Sequence, residues 1–304
     1  MRKLFVFTML VVAAALVLTA CGPKAAPAAA PADLLEQIKA RGYLLVSTDA
    51  DYAPQSSLNT AGKRASNTKC PSDTLTAPEL QGFDVDTAIE LGKRLGVETC
   101  FVTPDWGVIV AGNWADKWDI SVGSMAILSG RQKVFDFTTP YYYGPAVVAV
   151  ANDSGITSLD QLAGQPICVG VGTDYDAWAK NDPTDPNSVP ADAWLVQPPA
   201  GMKVVELPTD QNCAESIQAG RKDFQAYSTA KTVVDQNIAA GIPVTTLGET
   251  FDEQLSVAVD KSHTLPIDTL VAQLDTVIQA MHDDGTLSKF SNQWFGADLT
   301  QAPK

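Results

Sequence analysis

Residues 82–102 read GFDVDTAIELGKRLGVETCFV, and two different periodicities meet in that stretch. From Asp84 to Leu95 the apolar residues Val85, Ala88, Ile89 and Leu95 fall on one stripe of a 3.6-residue helix, and Gly96 supplies its stop. From Glu98 to Val102 a short apolar run follows, suited to a strand buried on both faces. A helix that turns at once into a buried strand points to a layered α/β fold.

The same alternation extends in both directions. Tyr43–Ser47 (YLLVS) is a short apolar run upstream, and Asp119–Val122 and Ala146–Ala151 are strand-like runs downstream. After Gly155 the rhythm restarts. A short helix at Leu159–Leu162 is followed by a strand at Ile167–Val171, a helix beginning near Asp174 and a strand at Val204–Glu206. A helix at Cys213–Ala219 and a strand at Phe224–Tyr227 come next. Ile267, Leu270, Val271, Leu274, Val277, Ile278 and Met281 then make a regular helical stripe. The expected architecture is α/β with largely parallel sheets. Two stretches break the rhythm. Pro54–Leu80 is polar and turn-rich, and Asp182–Gly201 carries five prolines. Both read as long loops, either functional or simple surface decoration.

The start of the chain reads as a leader. Arg2 and Lys3 precede an almost unbroken apolar run from Leu4 to Ala20, the order of a secretory signal peptide. The ending Leu18-Thr19-Ala20-Cys21 resembles a bacterial lipobox, which implies cleavage before Cys21 and a lipid on that cysteine. Residues 22–33 are rich in Ala and Pro, with little to bury, and read as a tether from the membrane surface to the folded body. Formal charge is −14, and removing the leader with its two basic residues leaves −16. Such a balance argues against nucleic acid or an anionic membrane surface as partner. Besides Cys21 there are Cys70, Cys100, Cys168 and Cys213. An even number in an exported chain suggests two disulfides, with three pairings open, and the absence of any CxxC argues against a zinc site.

No high-specificity catalytic signature is present. The chain lacks GxxxxGK[ST], HExxH and GxSxG, and the GVGT stretch at Gly170–Thr173 is too short to argue for a nucleotide. His263 and His282, far apart in polar surroundings, read as surface residues. No catalytic residue, metal or cofactor is expected.

An ordered set of phrases carries more information. Thr48-Asp49-Ala50-Asp51-Tyr52-Ala53-Pro54 follows the first strand, and Gly82-Phe83-Asp84-Val85-Asp86 opens the helix ending at Leu95-Gly96. Lys117-Trp118-Asp119 leads into Gly123-Ser124-Met125-Ala126-Ile127, and the segment from Arg131 to Tyr142 reads RQKVFDFTTPYY. Gly172-Thr173, Ala219–Asp223 (AGRKD), Asp284–Leu287 (DGTL) and Trp294-Phe295-Gly296 come later. In this order and spacing, over about residues 34–296, they resemble the family 3 extracellular solute-binding proteins of ABC importers, the polar amino-acid-binding group.

That resemblance implies a type II periplasmic-binding-protein fold: two α/β lobes joined by two crossing strands, with the ligand in the cleft between them. Lobe 1 would comprise 34–144 plus 250–304 and lobe 2 would comprise 145–249. The crossings would fall near Gly144–Val147 and Gly248–Phe251. Pairing of cysteines within lobes would give Cys70–Cys100 and Cys168–Cys213. The protein would act as a monomer that closes about its hinge on a small polar solute and presents the closed form to the membrane permease.

Site residues can be carried over one by one. Arg131 matches the arginine that grips the ligand's carboxylate, for which a guanidinium fork is suited by its two parallel donors and fixed charge. Tyr52 and Trp106 match positions that sandwich the ligand, and Asp49 matches a polar position able to accept from a cationic group. Gly123 and Ser124 match the segment that completes the carboxylate cradle, and Thr173 the hydroxyl residue after Gly172. Three positions depart from the pattern. Ala126 stands where a Ser or Thr donor is usual. Ser228 stands where an aspartate usually holds the ligand's ammonium. Asp174 stands where a small hydroxyl residue is usual, and it reads either as a plain helix cap or as the replacement for the charge missing at Ser228. One arginine facing Asp49 and Asp174 suits a ligand with one carboxylate and a cationic or donating portion, and disfavours a dicarboxylate. Two other functions remain: a lipoprotein that presents ligand to a separate receptor, and a prephenate/arogenate dehydratase-like enzyme on the same fold.

Overall fold

The computed structural model describes residues 30–303. The leader, Cys21 and the tether as far as residue 29 therefore lie outside the described residues. The chain enters the body through α1 (Leu34–Arg41), capped by the Asp33 side chain, which accepts from the Glu36 N–H. It continues into β1 (Tyr43–Ser47), the short strands β2 (Asp51–Tyr52), β3 (Ser56–Leu58), β4 (Leu75–Thr76) and β5 (Leu80–Gln81), then α2 (Phe83–Leu95) and β6 (Glu98–Val102). Next come α3 (Trp106–Val110), β7 (Ile120–Ala126), β8 (Phe135–Phe137) and β9 (Tyr142–Ala151). The remaining elements are β10 (Pro166–Gly170), α4 (Asp174–Ala179), β11 (Lys203–Leu207), α5 (Asp210–Gln218), β12 (Ala226–Ala230), α6 (Lys231–Ala239), β13 (Val244–Asp260), α7 (Asp268–Asp283) and α8 (Thr286–Phe295).

Ten strands form one continuous sheet in the order β11-β10-β12-β9-β13-β7-β1-β6-β4, with β8 pairing to β13. Two parallel blocks stand at its ends: β7, β1 and β6 on one side, β11, β10 and β12 on the other. Between them β9 and β13 run antiparallel to each other, β9 bordering β12 of one block and β13 bordering β7 of the other. The molecule is two-lobed, and these two long strands are its shared spine. The β9–β13 register slips twice, between Thr246 and Gly248 and between Glu249 and Phe251. Bulges of this kind bend a strand and increase its twist.

The first lobe is held by α2, whose apolar stripe packs on β6 and β7 and against α7 and α8. Gly82 precedes it at φ 134°, where a Cβ would collide with the carbonyl of Gln55. Phe83 is fully buried, and its ring lies 5.0 Å from Tyr142 and 4.8 Å from Phe295. Burying such a side chain is worth roughly 1.5–3 kcal/mol. Trp294 Nε1 donates to Asp86 Oδ2 at 2.7 Å, which ties the chain's end to the start of α2. In the second lobe α5 and α6 pack on β10, β12 and β9 around Cys168, Cys213 and Phe224.

Both disulfides join the expected partners, Cys70 with Cys100 and Cys168 with Cys213. The first fastens the turn-rich segment to β6, and the second fastens α5 to β10.

Two expectations are corrected. The segment 54–80 is not all loop: β3 lies in it and pairs with β2 and β5 in a small second sheet, while β4 pairs with β6. His263 is not a surface residue. Its side chain is 6% exposed, its Nε2 lies 3.3 Å from Asp116 Oδ1, and its Nδ1 accepts from the Leu265 N–H. Among the described residues, no helix is long and apolar enough to cross a membrane, and no acidic, His or Cys cluster could hold a metal.

Candidate functional site

A cavity of about 460 Å³, counted to its mouth, lies where the strand ends of the two lobes face each other. This is where open α/β sheets place ligands: loops at the strand ends carry the groups that need exposure, while the sheet holds them rigid. Of the carried-over residues, Asp49, Tyr52, Trp106, Gly123, Ser124, Arg131, Thr173 and Asp174 line it. Ala126 and Ser228 do not. Ala126 is buried in β7 with its carbonyl accepting from Arg131 Nη1 at 3.3 Å, and Ser228 is buried in β12 with its hydroxyl donating to the Val147 carbonyl.

Arg131 stands on the turn after β7 and is only 3% exposed. Nη2 crosses the cleft to the carbonyl of Gly172 at 3.1 Å, and the guanidinium carbon lies 5.3 Å from the centre of the Trp106 ring. Nε has no hydrogen-bond partner among the described residues. Burial pulls the guanidinium below its ordinary range, and Asp174, then Glu253, oppose that pull.

Asp174 is the first residue of α4, but it does not cap the helix. The cap is Thr173, whose hydroxyl oxygen accepts from the Asp176 N–H. The capping reading of Asp174 is therefore wrong by one residue. The residue is 3% exposed, and its Oδ2 has no donor among the described residues. Burial raises its pKa, and the Arg131 charge works against that rise.

Ser124 departs from the role carried over to it. It sits at φ 53°, a region that non-glycine residues seldom occupy. Its hydroxyl donates to Asp84 Oδ2 at 2.8 Å and accepts from Tyr142 at 2.7 Å. Its N–H donates to the Tyr141 hydroxyl, which in turn donates to Asp84 Oδ1. The hydroxyl thus serves a buried network, and Asp84 is pushed up to about 7 by its burial.

The sequence reading missed Glu253, Tyr175, Asp210, Thr209, Pro208 and Gly170, which also line the cavity. Glu253 comes from the crossing strand β13, is 3% exposed, and accepts from the Tyr175 hydroxyl at 2.8 Å. Tyr175 in turn meets the Tyr52 hydroxyl at 3.1 Å across the cleft. Asp210 accepts from the Gly170 N–H and from the Thr229 hydroxyl, and burial pushes it up to about 7. Burial likewise raises Asp49 to about 6, against a hydrogen bond from the Asp51 N–H. One signal for Glu253 was present in the chain: the acid pair Asp252-Glu253 stands just before the largely apolar run Leu255–Val259.

Further bonds close the mouth. Gln55 Nε2 donates to Thr232 Oγ1 at 2.6 Å, and Thr209 Oγ1 donates to Asp51 Oδ2 at 3.0 Å. The Gly130 N–H meets the Pro186 carbonyl at 2.8 Å. The Asp182–Gly201 loop thus reaches from the second lobe to the residue beside Arg131.

Residues 44–297 match the model of the bacterial extracellular solute-binding proteins, family 3. The chain is 29% identical over 271 residues to the L-cystine-binding protein TcyJ of Escherichia coli (strain K12), covering 88% of both chains. It is 26% identical to the L-cystine-binding protein TcyA of Bacillus subtilis (strain 168), over 99% of this chain and 100% of that one. Among solved structures, an ancestral arginine-binding protein bound to arginine superposes with a TM-score of 0.66 at 26% identity, covering 84% of this chain and 99% of that chain. The ancestral amino acid-binding protein AncCDT-1, described as a precursor of cyclohexadienyl dehydratase, gives 0.68 at 26% identity, over 86% and 99%.

Proposed function

The chain belongs to the bacterial extracellular solute-binding proteins of family 3, and from that premise we propose that it captures a small zwitterionic solute outside the cytoplasm and delivers it to an ABC-type importer. The observation that carries the ligand class is a pair of unsatisfied charges. Arg131 Nε and Asp174 Oδ2 are both buried, both without a partner among the described residues, and both belong to residues lining one cavity. A buried charge without hydrogen bonds costs several kcal/mol, so such atoms mark where a ligand's complementary groups go. A carboxylate against Arg131 and an ammonium against Asp174 would satisfy both. Tyr52, Trp106 and Tyr175 supply the flat apolar walls. Relatives named for L-cystine and arginine bind solutes with that head group.

The lobes are 34–144 with 250–304, and 145–249, and they close about the bulged stretch of β9 and β13. The cross-cleft bonds from Gln55, Tyr52, Thr209, Arg131 and Gly130 are those of the closed form. The protein works as a monomer. Cys21 carries the lipid that keeps it at the membrane, and Cys21→Ala should release it or leave a precursor without changing solute affinity.

A thermal-shift panel of L-cystine, L-arginine, L-histidine and succinate, with mass spectrometry of any co-purified solute, tests the ligand class. A bound amino acid at 100 times its Kd adds about 2.7 kcal/mol. Stabilisation by succinate and by none of the amino acids would refute the zwitterion. The dehydratase alternative is decided by incubation with prephenate and arogenate, where turnover would displace capture as the function.

A further inference from the structure

Tyr175, the second residue of α4, lies along the crossing strand β13. Its ring stacks on Phe251, with centroids 6.0 Å apart and planes 25° apart, and its hydroxyl donates to Glu253 Oε2 at 2.8 Å. Phe251 and Glu253 stand two residues apart in the regular register that resumes after the second slip of β13, so their side chains leave the same face of the strand. All three residues are buried. From the other side of the cavity the hydroxyl of Tyr52, on β2 of the first lobe, comes to 3.1 Å from that of Tyr175. A phenol has one proton to donate. Tyr175 directs its own to Glu253, so the proton of the cross-cleft bond comes from Tyr52. The chain of donors runs from Tyr52 through Tyr175 to Glu253, and bonds aligned in this way strengthen one another. Burial raises both tyrosines well above their ordinary range, so both protons stay in place.

We propose that Glu253 is a positioning residue for the solute site: with Phe251 it holds Tyr175 on the crossing strand in the open and closed forms alike, and it leaves the Tyr175 oxygen as a fixed acceptor on which the Tyr52 hydroxyl docks only when the lobes close. The reason is attachment. Ring and hydroxyl of Tyr175 are both tied to one face of one strand, whereas a single hydrogen bond joins Tyr175 to Tyr52. Separation of the lobes breaks the single bond and leaves the double hold. The latch stands in the wall of the site itself, because Tyr52, Tyr175 and Glu253 all line the cavity. A solute between the lobes is released more slowly while that bond stands, whatever side chain it carries. The latch therefore sets residence time rather than selectivity. Tyr52, its proton committed to Tyr175, offers a solute only its ring and its lone pairs.

This rests on the solute-capture reading, so one arm of the test needs no solute. Tyrosine isotope-labelled at Cζ reports the hydrogen bonding of each hydroxyl by NMR. In the solute-free protein, Glu253→Met keeps the side chain's length and removes the acceptor, so it should move the Tyr175 resonance and leave that of Tyr52 in place. The other arm is stopped-flow release of L-arginine, L-histidine and L-cystine. Tyr52→Phe keeps the ring and should speed release about three- to tenfold, the worth of one hydrogen bond, with the association rate unchanged. The factor should be the same for all three solutes, and the substitution should have no effect in a Tyr175→Phe background. An unmoved Tyr175 resonance would overturn the hold by Glu253. Factors that differ among solutes, or that persist in Tyr175→Phe, would overturn the latch and make the Tyr52 hydroxyl a direct solute contact. Failure of all three solutes to bind wild type would overturn the proposed solute class, and the resonances would still decide whether Glu253 holds Tyr175.

Discussion

Gly130 donates its N–H to the carbonyl of Pro186, and the space between the two residues admits no side chain: a Cβ on Gly130 would meet the Pro186 ring and lie 2.5 Å from its carbonyl oxygen. Gly130 precedes the arginine of the first lobe, and Pro186 lies in the proline-rich loop of the second. Backbone contact at that point brings Arg131 within reach of the Gly172 carbonyl.

Gly130→Ala should therefore act on closure. Overpacking costs about 1–3 kcal/mol, and the clash arises only when the lobes meet. Affinity for the bound amino acid should fall roughly 5- to 150-fold, while the solute-free melting temperature, set by the open form, should move little. Equal losses in both measurements would place the contact in the open form as well.

Arg131→Ala should weaken binding by well over tenfold, since removal of a buried charged contact costs about 2–5 kcal/mol. Arg131→Lys should not restore it, because a single ammonium cannot span the Ala126 and Gly172 carbonyls and a ligand carboxylate together. Titration calorimetry of both variants is the check. Recovery in the lysine variant would reduce Arg131 to a point charge.

Asp174 and Thr173 should separate cleanly. Thr173→Ala removes the cap of α4 and should lower stability by about 1 kcal/mol. Asp174→Asn leaves that cap intact and should instead cut affinity by at least tenfold. Chemical denaturation and calorimetry on the two variants test this, and unchanged affinity in Asp174→Asn would remove Asp174 from the site.

Asp84 should make stability fall as pH rises. Burial pushes it up to about 7, so the folded protein keeps a proton that the unfolded chain loses near 3.8. Its contribution is complete below pH 3.8 and is lost as pH climbs through about 7. The stability difference between wild type and Asp84→Asn should shrink by on the order of 4 kcal/mol across that interval. Denaturant midpoints at closely spaced pH values would show it, and a constant difference would mean that Asp84 is ionised in the fold.

What the sequence determined by itself was local or periodic. The stripe of α2, the stop at Gly96 and the apolar runs of β1, β6 and β10 follow from spacing alone, because burial on one face or both imprints a repeat on the chain. The within-lobe cysteine pairs and the arginine at 131 followed from an ordered set of phrases rather than from any one of them. Tertiary structure alone decided the rest. Glu253 is 79 residues from Asp174, and nothing in their neighbouring sequence announces that a crossing strand and a helix start will line one cavity. Ser124 carried the pattern of a cradle residue, yet its hydroxyl is committed to Asp84, 40 residues earlier. Periodicity reports which face of an element is buried. It carries no information on which distant groups share that burial, and the protonation of a cleft depends on those neighbours.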